Sequence, residues 1–195
     1  MDDFPLDAQE QLRSPRETEA SVADSAVAHV AALSAGAPLD RSLRVTVHFH
    51  PDAVFGTGTV LDALAGEGVY RSQFETGLSN GGLSAHPGGA RWQWESRMFG
   101  GCYDSAPAAQ RPKYGALNHR GDPYGGSPRF GSCYLRLAEH TLERTTFCFP
   151  DSVFEPGAFA TSRRMSLLEM VEQDHDRSAR SLHRGAPARP AVDGQ

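Results

Sequence analysis

Two imidazoles two residues apart, His48 and His50, sit in the run Leu43-Arg44-Val45-Thr46-Val47-His48-Phe49-His50-Pro51. Leu43, Val45, Val47 and Phe49 alternate with polar partners, which predicts a strand whose apolar side meets the core. The other side then carries Thr46, His48 and His50 in a row, about 7 Å between neighbours. Imidazoles so placed could hold a metal once a third ligand joins them. They could equally bond the hydroxyls or phosphates of an organic ligand, or form a satisfied polar face under a loop. His86 and Asp104 have no spacing that makes either a third ligand.

The acids are harder to place. Glu75, Glu95, Glu139, Glu143 and Glu155 are candidates, spacing pairs no two of them, and most read as surface charges. The segment Tyr70-Arg71-Ser72-Gln73-Phe74-Glu75 is denser in reactive side chains than a plain strand requires, so the site extends there. The glycines that follow, from Gly77 to Gly82, have neither the lysine and helix of a P-loop nor the G-x-G-x-x-G spacing; they read as a turn or mobile loop. G-x-S-x-G and H-E-x-x-H are absent. Trp92 and Trp94 share one face if 92–97 is extended, and suit a core wall better than a base-stacking platform.

The elements that position these groups follow from pattern. Ser14-Pro15-Arg16-Glu17 is a capping box with proline at the first helical position. Behind it Val22, Ala26, Val30 and Leu33 form one apolar helix face, and Gly36 and Pro38 end the helix. A short helix is predicted over 59–66, extended chain over 69–74, and strands over 130–137 and 144–149, the last with Phe147 and Phe149 on one face. Residues 105–128 are rich in proline and glycine. A last helix is predicted over 162–171.

A chain of 195 residues suits one domain, here read as 14–172 between a loose amino terminus (1–13) and a disordered tail (173–195). Its net charge of −5 opposes a long nucleic-acid groove. No apolar run is long enough to span a membrane or serve as a secretory signal. Three cysteines without a C-x-x-C pair read as the free thiols of a cytoplasmic protein. Together these give an α+β fold.

Two resemblances sharpen the reading. The segments 47–52 and 68–77, Arg111-Pro112-Lys113-Tyr114-Gly115-Ala116-Leu117-Asn118, and 147–156 resemble the bacterial domain-of-unknown-function family 3626 over residues 40 to 165. More distantly, the order of a His-bearing strand, a helix ending in glycine, an R-P-x-Y-G-x-L segment and an R-T-T-F…D-S segment is similar to phage-associated ADP-ribosyltransferases. That resemblance implies a small split, antiparallel-rich β-sheet gripping NAD, with the amino-terminal amphipathic helix and one or two further helices. It implies that His48 or His50 bonds a ribose hydroxyl, with Thr46, Arg71 and Ser72 beside it. Tyr70 or Tyr114 would stack on nicotinamide, and ADP-ribose would pass to a protein or nucleic-acid acceptor. No metal is expected in that scheme. The required glutamate would lie in a strand after the last helix, where this chain instead turns Arg/Ala/Pro-rich. Either Glu155 or another acid acts in its place, with Tyr114, or the chain is a shortened representative without catalysis. A metal-dependent hydrolase or nuclease built on His48 and His50, and a non-catalytic interaction domain, are the alternatives.

Overall fold

The computed structural model describes residues 15–77, 83–154 and 156–174. The first helix, α1 (Pro15–Leu33), starts on the expected proline; Ser14 lies outside the described residues. Ala26 and Val30 are buried and Val22 partly so, as the spacing predicts, whereas Leu33 is exposed. The chain beyond α1 is laced to the far end of the domain: Met165 and Ser166 donate backbone N–H groups to the carbonyls of Ala37 and Ala35.

Strand β1 (Val45–Phe49) is the middle of a three-stranded antiparallel sheet, flanked by β4 (Ala116–Leu117) and β5 (Cys133–Arg136). The register sets Thr46 opposite Ala116 and Arg136, and His48 opposite Tyr134. Between β1 and β4 lie a small hairpin, β2 (Val54–Phe55) with β3 (Gly58–Thr59), and three helices, α2 (Val60–Glu67), α3 (Gln73–Thr76) and α4 (Ala90–Met98). Strands β6 (Thr146–Phe149) and β7 (Ala158–Thr161) form a second antiparallel pair, and a final helix α5 occupies 167–174. The fold is therefore α+β, with small antiparallel sheets and several helices.

The β6–β7 pair divides the core in two. Phe159 and Cys148 pack with Ala26, Val30, Trp94, Met98 and Phe99 of the α1–α4 side. Phe147, Phe149 and Ala160 pack on the opposite side with Val45, Leu142, Met165 and Leu167. Alternation along one ribbon thus serves both cores.

Four local expectations are corrected. The extended chain expected over 69–74 stops at Ser72, which caps α3, accepting from the Glu75 N–H at 3.2 Å while the Glu75 carboxylate accepts from the Ser72 N–H at 2.6 Å. The tryptophan segment is helix, not extended chain. Strand β4 forms within the Pro/Gly-rich stretch. The last helix begins only at 167, because 158–161 pairs with β6.

Candidate functional site

Arg91, Trp94, Glu95 and Met98 lie at helical spacing, so they share one side of α4, and all four are buried. A buried carboxylate must be paired and bonded. Glu95, 0 % exposed, accepts from Arg111 Nη1 at 2.7 Å and from the Tyr114 hydroxyl. Arg111 arrives from the end of a 3₁₀ turn (Ala108–Gln110) and stacks on Phe74, 4.2 Å from the ring centre. Tyr114 follows three residues later. The Arg91 guanidinium lies 4.2 Å from the centre of the Tyr114 ring and 5.5 Å from that of Trp94, and its Nη1 donates to Ser152 Oγ at 3.2 Å. Ser152 in turn donates to Asp151, which is ion-paired with Arg129.

Desolvation dominates the titration of this wall. It lifts the Glu95 carboxyl above its ordinary range against the pull of Tyr114 and Arg111. Burial, and then the Glu95 charge, hold the Tyr114 phenol well above its usual value, so it remains a hydrogen-bond donor at neutral pH. Burial also raises the Tyr70 phenol.

This polar cluster borders a cleft of about 860 Å³ lined from β1, β4, β6 and α4. A smaller pocket of about 220 Å³ lies beside it, walled by apolar groups such as Phe49, Val60 and Leu64. Tyr70, Gln73, Lys113 and Tyr114 line both cavities. Gln73 Oε1, on that shared wall, is buried without a hydrogen-bond partner. An unsatisfied buried acceptor there suits a ligand that brings a donor.

The residues expected to form the site are distributed unevenly. Tyr70 and Tyr114 meet at the shared wall. Thr46 and His48 are among the residues lining the larger cleft, but they are almost wholly buried and their polar atoms are held by the chain, so the strand face is not the open floor expected. Thr46 Oγ1 accepts from the Gly126 N–H at 2.9 Å. His48, 6 % exposed, accepts at Nε2 from the Ser127 N–H (3.2 Å) and donates from Nδ1 to the Gly131 carbonyl (3.1 Å). Both ring nitrogens are engaged by the 125–131 segment that covers the strand. His50 lies past the strand end, is exposed, and lines the smaller pocket. Arg71 pairs with Glu67 at 2.8 Å, and Ser72 is a buried cap whose hydroxyl donates to the Ala108 carbonyl at 2.6 Å. Glu155 lies outside the described residues. Sequence reasoning did not single out Arg91, Gln73, Arg111 or Ser152, and it left Glu95 among five equivalent acids. The available signal was Arg91 four residues before Glu95.

The thiols are chemically distinct. Cys148 borders the cleft, and burial, with a smaller push from Asp151, raises it to about 11; Cys133 is exposed. Iodoacetamide at about pH 8 is therefore expected to label Cys133 in the folded protein and Cys148 only after denaturation, as read by peptide mass spectrometry. Prompt labelling of Cys148 in native protein would contradict the burial described.

Among the described residues, no helix is long and apolar enough to cross a membrane, and no three His, Cys, Asp or Glu side chains converge as a metal-binding group. No curated protein and no solved structure matches the chain. Residues 44–171, which carry the Tyr70–Tyr114 wall of both cavities and all of β1, match the family described as protein of unknown function (DUF3626). The chain belongs to the DUF3626 family.

Proposed function

We propose that the larger cleft binds NAD and that the chain is an ADP-ribosyltransferase-like protein, passing ADP-ribose to a protein or nucleic-acid acceptor. The observation that carries the reading is the tyrosine-bearing wall between a nucleotide-sized cleft and a small apolar pocket. A volume of about 860 Å³ lies within the range of cofactor sites. Tyr70 and Tyr114 bring aromatic rings to the lining, one face of Tyr114 being held by Arg91, and Lys113 supplies positive charge at the same wall. In this reading Thr46 and His48 hold the cleft's edge together through the 125–131 segment, and ligand contact passes to the tyrosines.

The reaction breaks the bond between the ribose anomeric carbon and the nicotinamide nitrogen, the electron pair leaving with the ring. An acceptor nucleophile then adds to that carbon and loses its proton. A carboxylate is needed to stabilise the positive charge developing on the ribose. Asp151 is the carboxylate among the described residues lining the cleft, and it is committed to Arg129. Glu155, four residues further on, keeps the acid role in the proposal. Glu95 is fully buried and serves to position Tyr114.

Titrating the protein with NAD while following tryptophan emission tests the reading, since the Trp94 ring is 6.0 Å from that of Tyr114. Tyr70→Ala is expected to weaken binding by about tenfold or more, the stacking of one base being worth roughly 1–3 kcal/mol. Glu155→Gln is expected to stop nicotinamide release and leave binding in place. Unchanged emission at millimolar NAD, with no nicotinamide released, would overturn the proposal.

A further inference from the structure

Arg91 is a buried cation, 4 % exposed, that feels the charge of Glu95 but, among the described residues, has no carboxylate bonded to it. Glu95, one helical turn on, gives its two oxygens to Arg111 and Tyr114, and Asp151 is held by Arg129. Arg91 Nη1 donates to the neutral Ser152 hydroxyl, the guanidinium lies against the Tyr114 phenol, and Nε is buried with no hydrogen-bond partner. The position adds to the imbalance. Arg91 stands in the first turn of α4, where the helix already presents its positive end. Stacking on Tyr114 and Trp94 fixes the guanidinium in place without neutralising it. Such a group, desolvated and lining an open cleft, calls for an anion from outside.

We propose that Arg91, with the Ser152 hydroxyl beside it, is an oxyanion subsite that takes a phosphate group of the cleft's ligand. The planar, always charged guanidinium suits two adjacent phosphate oxygens. The surrounding charge agrees: Arg91, Lys113, Arg129 and Arg144 line the cleft against Asp151 as its carboxylate among the described residues. Ser152 bridges Arg91 and Asp151, so an entering phosphate would take over the Ser152 hydroxyl as a donor. The subsite rests on the reading of the cleft as a dinucleotide site and assigns the side chain that receives the diphosphate.

Calorimetric titration with inorganic pyrophosphate, then with NAD, separates the two claims. Wild type is expected to bind pyrophosphate, Arg91→Met to bind it about tenfold or more weakly, and Ser152→Ala to bind it a few-fold more weakly, as for loss of a charge-assisted and a neutral hydrogen bond. Should Arg91→Met not fold, Arg91→Lys keeps the charge and loses the fork, and it too is expected to bind more weakly. No pyrophosphate binding by wild type, or full affinity in a folded Arg91 variant, overturns the subsite. NAD bound equally by wild type and Arg91→Met also overturns it while leaving the NAD reading standing. Pyrophosphate bound and NAD ignored removes the NAD reading and leaves the subsite.

Discussion

Gly131→Ala is expected to cost more than about 4 kcal/mol, enough to leave little folded domain. Gly131 has φ 147 and ψ 151, a backbone region that side chains with a Cβ essentially do not occupy. A Cβ there would lie 2.1 Å from both the carbonyl carbon and oxygen of Phe49. Neither can yield. Phe49 is paired with Cys133 in the β1–β5 ladder, and the Gly131 carbonyl is the acceptor for His48 Nδ1. A shift therefore breaks the sheet, the histidine clasp, or both. Gly66→Ala is the matched control: it sits inside α2 with nothing within 4 Å of an added Cβ, and is expected to stabilise by about 0.5–1 kcal/mol. Urea unfolding of the pair checks both signs. A Gly131→Ala protein that unfolds at the wild-type midpoint would show that the covering segment is not seated as described.

The same contact explains where the sequence was legible and where it was not. Alternation along 43–50 placed β1 and its apolar side correctly, because register in a buried strand is enforced by that pattern. The pattern says nothing about what lands on the polar side. There the 125–131 segment, admitted by Gly125 and Gly131, closes over Thr46 and His48; a Cβ on Gly125 would lie 2.5 Å from His48 Nε2. The helix α1 and strand β6 were readable for the same reason as β1, their buried positions being apolar. In α4 two of the buried positions are Arg91 and Glu95, so hydrophobic periodicity was blind to the helix and the two tryptophans suggested a period of two. The α3 cap was visible as Ser72-Gln73-Phe74-Glu75, a capping-box spacing that the neighbouring apolar residues outweighed. Strands β4 and β7, two and four residues long, exist through their partners rather than their own propensity. The tyrosines of the candidate site were expected; Arg91, Glu95 and Arg111 were not picked out because they are charged groups in core positions.

Glu95→Ala is expected to destabilise the domain by about 3–5 kcal/mol, because it strands Arg111 as an unpaired buried charge. Arg111 is 4 % exposed, and Glu95 is its ion-pair partner among the described residues. In a domain of this size the loss corresponds to a fall in melting temperature on the order of 10 °C. Replacing the pair together, as Glu95→Leu with Arg111→Met, is expected to cost less than Glu95→Ala alone, since no naked charge remains. Glu95→Gln keeps the shape and an acceptor for Tyr114, and it isolates the titration. Burial raises the Glu95 carboxyl, so the folded state holds its proton more tightly than the unfolded chain. The stability tied to that proton is fully present below the ordinary carboxyl pKa and is lost as pH rises through the raised folded value. Wild type should therefore lose stability relative to Glu95→Gln between the acid carboxylate range and neutrality; a constant difference would mean that desolvation does not govern the site. The consequence reaches the cleft. Tyr114 is fixed by Glu95 on one side and by the Arg91 guanidinium on its ring face, so loosening the carboxylate frees the wall that the proposed ligand would stack against and the cation that would meet its phosphate. Under this arrangement Glu95→Gln, which keeps the acceptor for Tyr114, should retain more NAD affinity than Glu95→Leu with Arg111→Met, which loses it; that ordering marks Glu95 as a positioning residue rather than one that touches the ligand.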